Sequence, residues 1–174
     1  MRHLFRSSLA VLFAIAALAA PSAASAAPTS TSFRIVGYEY AFTQTVGNFA
    51  GLGRGNAGDR ALWNASVQHD PLGSTPTYVD GGSFQMLTRS PSGSLDTVVG
   101  TFTYHGGTIT NIRPGTHCTN QQYLVTGTLE DVMTTTTMGG SGDFSAILTH
   151  YRRRLLGHCV IYKARVKGSV SFVY

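Results

Sequence analysis

Val160 to Tyr174 reads VIYKARVKGSVSFVY, and its alternation decides the fold. Val160, Tyr162, Ala164, Val166, Val170 and Phe172 fall on one face of an extended chain. Lys163, Arg165, Lys167, Ser169 and Ser171 fall on the other. Successive side chains of a strand point to opposite faces, so this period of two marks a strand with one dry and one wet face. Strands of that kind build antiparallel sheets that cover a core on a single side.

The pattern recurs upstream. Phe144, Ala146 and Leu148 alternate, as do Tyr123, Val125 and Leu129 with Gly127 in register, and Ala61, Trp63, Ala65 and Val67. Phe33 to Thr43 is rich in aromatic and β-branched residues, and Val36, Tyr38, Tyr40 and Phe42 are expected to share its buried face. Tyr78–Arg89, with a bulge expected at Gly81-Gly82, Leu95–Tyr104 and Thr108–Arg113 complete the set. Turn chemistry at His69–Pro76, Ser90–Gly93, Gly106-Gly107, Pro114-Gly115 and Thr134–Gly142 separates these segments. Gly47 to Gly58 (GNFAGLGRGNAG) reads as a glycine-rich loop. No window joins a 3.6-residue apolar stripe to helix caps. The expectation is an all-β domain, a single antiparallel β-barrel of about eight strands, with a β-sandwich as the alternative. The length of the last strand, with Gly168 at a bend, favours the closed barrel.

The chain starts with the arginines Arg2 and Arg6, then an unbroken apolar run from Leu9 to Ala20, then Ala24-Ser25-Ala26. Those are the three parts of a cleavable secretory signal, with residues 1–26 removed. The 12-residue run is short of the roughly 20 residues that span a bilayer, and no transmembrane segment is expected in the mature chain. The Ala-rich leader is bacterial in style. Residues 27–32 read as a flexible lead, and residues 33–174 as the barrel domain of a secreted, extracellular protein. Cys118 and Cys159 are the only cysteines, and an oxidising compartment predicts that they pair. The duplicated His117-Cys118 and His158-Cys159 could suggest zinc. Adjacent strand residues diverge, however, so a disulfide is preferred and no metal or other cofactor is expected.

Gly53 to Gly58 spells G-x-G-x-x-G without the strand–helix context a dinucleotide needs. The G-x-W of lipocalins is missing before Trp63, and the Cys–Trp–Cys order of immunoglobulin domains fails. Charge is uneven. Residues 132–174 hold Arg152, Arg153, Arg154, Lys163, Arg165 and Lys167 against Asp143, a net of +5; residues 27–131 hold five arginines against seven acids, a net of −2. Grouped cations attract anionic polymers or surfaces. Nucleic acid is not expected, since no stacking aromatics interleave with the basic run.

The sequence leans toward a non-enzymatic binding module, its partner a small apolar ligand or an anionic cell-surface polymer. Tyr38, Tyr40, Phe42, Trp63 and Tyr162 are the residues expected to line an interior for the apolar ligand. The alternative is an extracellular enzyme with a site at the barrel mouth drawn from His69, Asp70, His105 and His150.

Overall fold

The computed structural model describes residues 28–174, and the expected export signal lies outside them. Nine strands follow in order: β1 (Ser30–Phe42), β2 (Val46–Gly55), β3 (Arg60–His69), β4 (Tyr78–Arg89), β5 (Leu95–Phe102), β6 (Gly107–Arg113), β7 (Gln121–Met133), β8 (Gly140–Leu155) and β9 (His158–Val173). Every pairing is antiparallel. The sheet order β3-β2-β1-β9-β8-β7-β5-β4 closes on itself through a β3–β4 pairing. The fold is a closed eight-stranded barrel with one extra strand, and no helix occurs among the described residues.

The extra strand extends a stave that β5 leaves unfinished. β5 pairs with β4 from Ser83 to Arg89 and with β7 near Leu129 to Met133, then stops at Phe102. A turn at Thr103–Gly106 follows, closed by the Gly106 amide donating to the Thr103 carbonyl at 2.9 Å. β6 then resumes between the same neighbours, pairing with Tyr78 and Val79 of β4 and with Tyr123 to Val125 of β7.

Aromatic rings fill the interior. Phe84 is fully buried; Trp63 stacks on it at 6.2 Å, Phe172 approaches to 5.8 Å and Phe144 to 6.4 Å. Phe102 meets Phe144 edge-on at 5.7 Å, and Phe33 meets Phe172 at 6.4 Å. The Trp63 indole lies across β1 and β2 and donates from Nε1 to the Leu52 and Val36 carbonyls at 3.2 and 3.3 Å. Gly37 and Gly51, cross-strand partners, leave room for it, since a Cβ on either would come within 2.8 Å of the indole.

That indole explains the first correction. Phe33, Ile35, Gly37 and Glu39 face inward on β1, while Val36, Tyr38, Tyr40 and Phe42 are exposed, opposite to expectation. The even-numbered face has more apolar mass, but only the odd face offers a gap where Trp63 needs one. Gly47 to Gly55 is strand, not loop, and among its glycines Gly51 is the one that lies against the indole. β1 begins at Ser30, within the expected flexible lead, and Ser30 pairs with Val173. On β9, Ala164, Val166, Val170 and Phe172 are buried as the alternation requires, but Tyr162 is exposed because the β8–β9 hairpin projects beyond the pairing with β1. The bulge expected at Gly81-Gly82 falls one residue earlier: Gln68 faces Gly81 and His69 faces Val79, which leaves Asp80 as the extra residue.

Two links fix the ends. Cys118, in the β6–β7 loop, is bonded to Cys159 of the projecting hairpin, with Cα atoms 5.5 Å apart. Beside it, Arg152 donates from Nη1 to the Gly115 carbonyl at 3.0 Å. At the other end, Asp96 accepts from the Thr135 hydroxyl at 2.6 Å and amide at 3.0 Å and from the Thr97 amide at 2.8 Å. Partial burial pulls the Asp96 carboxyl up, but these bonds to its charged form outweigh that and hold it below the ordinary 3.8.

Replacing both cysteines by alanine is expected to cost about 4 kcal/mol in the chain-entropy model for this 41-residue separation, read from urea unfolding. Without reductant, denatured protein should take up no alkylating label. Because the folded Asp96 value is depressed, its stabilisation is present above the ordinary 3.8 and lost as pH falls below it. Asp96→Asn should therefore melt lower than the parent at pH 7, with the gap closing in acid below that value; a gap that persists unchanged there would contradict the assignment.

Candidate functional site

One end of the barrel gathers most of the titratable candidates. Glu39, last of the inward residues before the β1 bulge, meets His150 of β8 with Oε2 2.7 Å from Nε2, and both side chains are about nineteen-twentieths buried (5 % and 4 % exposed). With the carboxylate accepting, the imidazole donates from Nε2. Phe42 stacks on that imidazole at 5.7 Å and Tyr123 meets it edge-on at 5.5 Å. Burial raises the Tyr123 phenol above its ordinary 10.0; the Gln121 side chain and Arg152 oppose the rise and Glu39 adds to it.

His69 is also buried and lines the same small cavity as Glu39 and His150, its Nδ1 2.6 Å from the Asp70 carbonyl oxygen. Asp70 itself accepts from the Tyr78 amide at 3.1 Å and so braces the loop after β3. His105 does not join them. It sits in the turn that breaks the β5–β6 stave, stacked on Tyr104 and Tyr78 at 3.9 and 4.6 Å, with Nε2 3.3 Å from Asp80. Of the four predicted residues, the fold unites two, His69 and His150, and adds Glu39, which sequence reading missed. A carboxylate in a stretch of aromatics was the available signal.

The chemistry open to this group is narrow. Its cavity measures about 20 Å³, room for a single water. A wider cleft of about 490 Å³ opens beside it, bounded by the Leu72–Thr77 loop, β6 and the start of β7. Leu72, Ile109 and Tyr123 line both spaces, and neither histidine nor Glu39 lines the wider one. Among the described residues, no three His, Cys, Asp or Glu side chains gather as a metal site. Both cysteine sulfurs are bonded to each other and are not thiolate ligands.

The ligand-lining residues fare differently. Trp63 is buried in the core, and Tyr38, Tyr40 and Tyr162 stand on the outer surface. There the tyrosines meet the basic residues: Lys163 lies over the Tyr38 and Tyr151 rings, each at 5.8 Å, and Arg153 over Tyr162 at 5.3 Å. Five of the six predicted cations, Arg153, Arg154, Lys163, Arg165 and Lys167, are exposed. Arg152 is committed to the Gly115 loop and is withdrawn from the patch.

Register adds four cations that the sequence had scattered. Arg34 faces Arg54, Arg54 faces Arg60, and Arg60 faces Arg89, a ladder across β1, β2, β3 and β4. All four are exposed. At about 4.8 Å between strands the ladder runs about 14 Å. Like charges directly opposite each other oppose pairing. Among the described residues no lysine or arginine lies within 4.0 Å of a carboxylate; the basic side chains within that distance are His105, beside Asp80, and His150, beside Glu39.

The chain matches no protein-family model, no curated protein and no solved structure.

Glu39→Leu is expected to leave a buried imidazole donor unpaired and to cost about 1–3 kcal/mol in urea unfolding. His150→Leu in the same background should recover part of that loss. If the double variant is as unstable as the sum of the singles, the two side chains are not coupled.

Proposed function

We propose that this protein is a non-enzymatic binding module, exported from the cell, that holds to an anionic component of the cell surface through its outer basic face. The observation that carries the reading is the set of seven exposed, unpaired cations, Arg34, Arg54, Arg60, Arg89, Lys163, Arg165 and Lys167, on adjoining strands β9-β1-β2-β3-β4. Four of them oppose one another in register, an arrangement that costs stability and that a bound polyanion would neutralise. The filled interior supports the anionic partner over the small apolar ligand that the sequence left open beside it. The closed-off histidine pair supports binding over catalysis.

Each cation near an anionic surface contributes on the order of 1 kcal/mol, and the attraction decays over about 8 Å at physiological salt. On a dextran sulfate matrix the protein should be retained at low salt. Replacing Lys163, Arg165 and Lys167 together by glutamine should move elution to clearly lower salt. Arg153→Ser with Arg154→Ser should produce a smaller shift in the same direction. Failure of the parent protein to bind the matrix at low ionic strength would remove the reading.

A further inference from the structure

Beside the arginine ladder runs a second row, and it is aliphatic. Val36 faces Leu52, Leu52 faces Leu62, and Leu62 faces Leu87 across the same four strands, two residues from each arginine and on the same outer face. All four are exposed, Leu52 and Leu62 at 58 % each. Two residues along a strand is about 7 Å, so the rows are parallel and about 7 Å apart. On the far side of the aliphatic row, again two residues away, Tyr38 faces Arg165 of β9. Across β2, β3 and β4 that far row continues through Ala50, Asn64 and Gln85, so a ridge of exposed side chains without polar atoms stands between the arginine ladder and an uncharged row that ends at Tyr38 and Arg165. Shallow grooves flank it, one of about 360 Å³ beside Leu62 and Leu87 and one of about 460 Å³ between Val36, Ile147, Arg165 and Lys167.

We infer that the occupant of this face is the surface of an anionic phospholipid bilayer, with Val36, Leu52, Leu62 and Leu87 entering the headgroup–acyl boundary and Arg34, Arg54, Arg60 and Arg89 meeting the phosphates. The inference rests on the anionic-surface reading above and narrows it to one source. A soluble or wall-bound polyanion would satisfy the arginines but would gain nothing from an aliphatic row. A second copy of this chain would cover the aliphatics but would leave the arginines without an anionic partner, since the registered outer rows of β1, β2 and β3 carry no carboxylate to meet them: Glu39 points inward to His150. Only an amphiphile with negative heads answers both rows. Interfacial attachment of this kind combines buried apolar area with attraction to anionic lipid, at a depth of about 5–10 Å. The barrel's own architecture separates it from a spanning one, because its apolar side chains fill the inside and its outer faces carry Arg, Lys, Ser, Asn and Gln between the aliphatics.

The experiment uses the purified chain and two variants made on exposed positions with strand-compatible residues. They are Leu52→Thr with Leu62→Thr, and Arg54→Gln with Arg60→Gln; circular dichroism confirms that each keeps the parent's fold. Each is floated with vesicles of phosphatidylglycerol and phosphatidylcholine, and with phosphatidylcholine alone, and is also applied to dextran sulfate. The parent should partition onto the anionic vesicles and not the neutral ones. The leucine variant should lose about tenfold in vesicle partitioning while binding dextran sulfate unchanged, and the arginine variant should lose about tenfold or more on both. Should the leucine variant match the parent on vesicles, the lipid inference falls while the anionic-surface reading stands. Absence of parent binding to either vesicles or dextran sulfate removes both. A parent that forms a concentration-dependent dimer in sedimentation, abolished by the leucine changes and without vesicle binding, assigns the ridge to a second copy instead.

Discussion

The placement of the Trp63 indole governs the rest of the molecule. Its ring needs a slot across two strands, its Nε1 needs backbone acceptors, and both are met only where Gly37 and Gly51 sit opposite each other. That requirement fixes which side of β1 and β2 is inside. Once it is fixed, the period of two carries the choice along both strands, since a slip of one residue would exchange the faces. Phe84 stacks on the indole, and Phe144 meets Phe84 edge-on and Phe172 at a tilt, so β8 and β9 are keyed to the same ring system.

A barrel keyed in this way has no interior to offer. Side chains occupy the space in which larger barrels hold ligands, and at the mouth a single-water void beside Glu39 and His150 adjoins an open cleft under the Leu72–Thr77 loop. The recognition proposed above therefore falls on the outside, where strands present rows of side chains in register. The outer rows carry charge and aliphatic surface at the expense of sheet stability, and the core supplies the margin that tolerates them. The disulfide and the Arg152 contact add to that margin where the β8–β9 hairpin leaves the shelter of its neighbours.

The fold was legible wherever one face of a strand is plainly apolar and the other plainly polar. β3, β7, β8 and the second half of β9 satisfy that, and their buried residues are those the alternation names. β1 was read inside out because both of its faces are apolar and a tryptophan 27 residues away makes the choice. On β2 the same distant ring requires Gly51, and with the glycines around it that residue imitates a loop. Among the site residues, Lys163, Arg165 and Lys167 were legible because they are neighbours on one strand. Arg34, Arg54, Arg60 and Arg89 were not, since they become a row only through three cross-strand registers, and the stretch that contains them has a negative formal charge. Glu39 was hidden because its neighbours Tyr38 and Tyr40 read as the buried face, which places Glu39 on the outside.

Most pairings in the barrel join consecutive strands; β4–β6 and β5–β7 skip one strand, and the seam between β1 and β9 joins the two ends of the series. Ser30 meets Val173 there, and Thr29 and Tyr174 exchange amide-to-carbonyl bonds at 2.8 and 3.1 Å. A ribosome delivers β1 first and β9 last. Through almost the whole of synthesis, therefore, β1 offers a row of unmated amides and carbonyls along one side, and each newly added hairpin presents another on the growing edge. Such edges are where sheets from different molecules join. Closure of the seam withdraws both at once, so the arrival of the final strand marks the moment at which a sheet able to polymerise becomes a barrel without open edges.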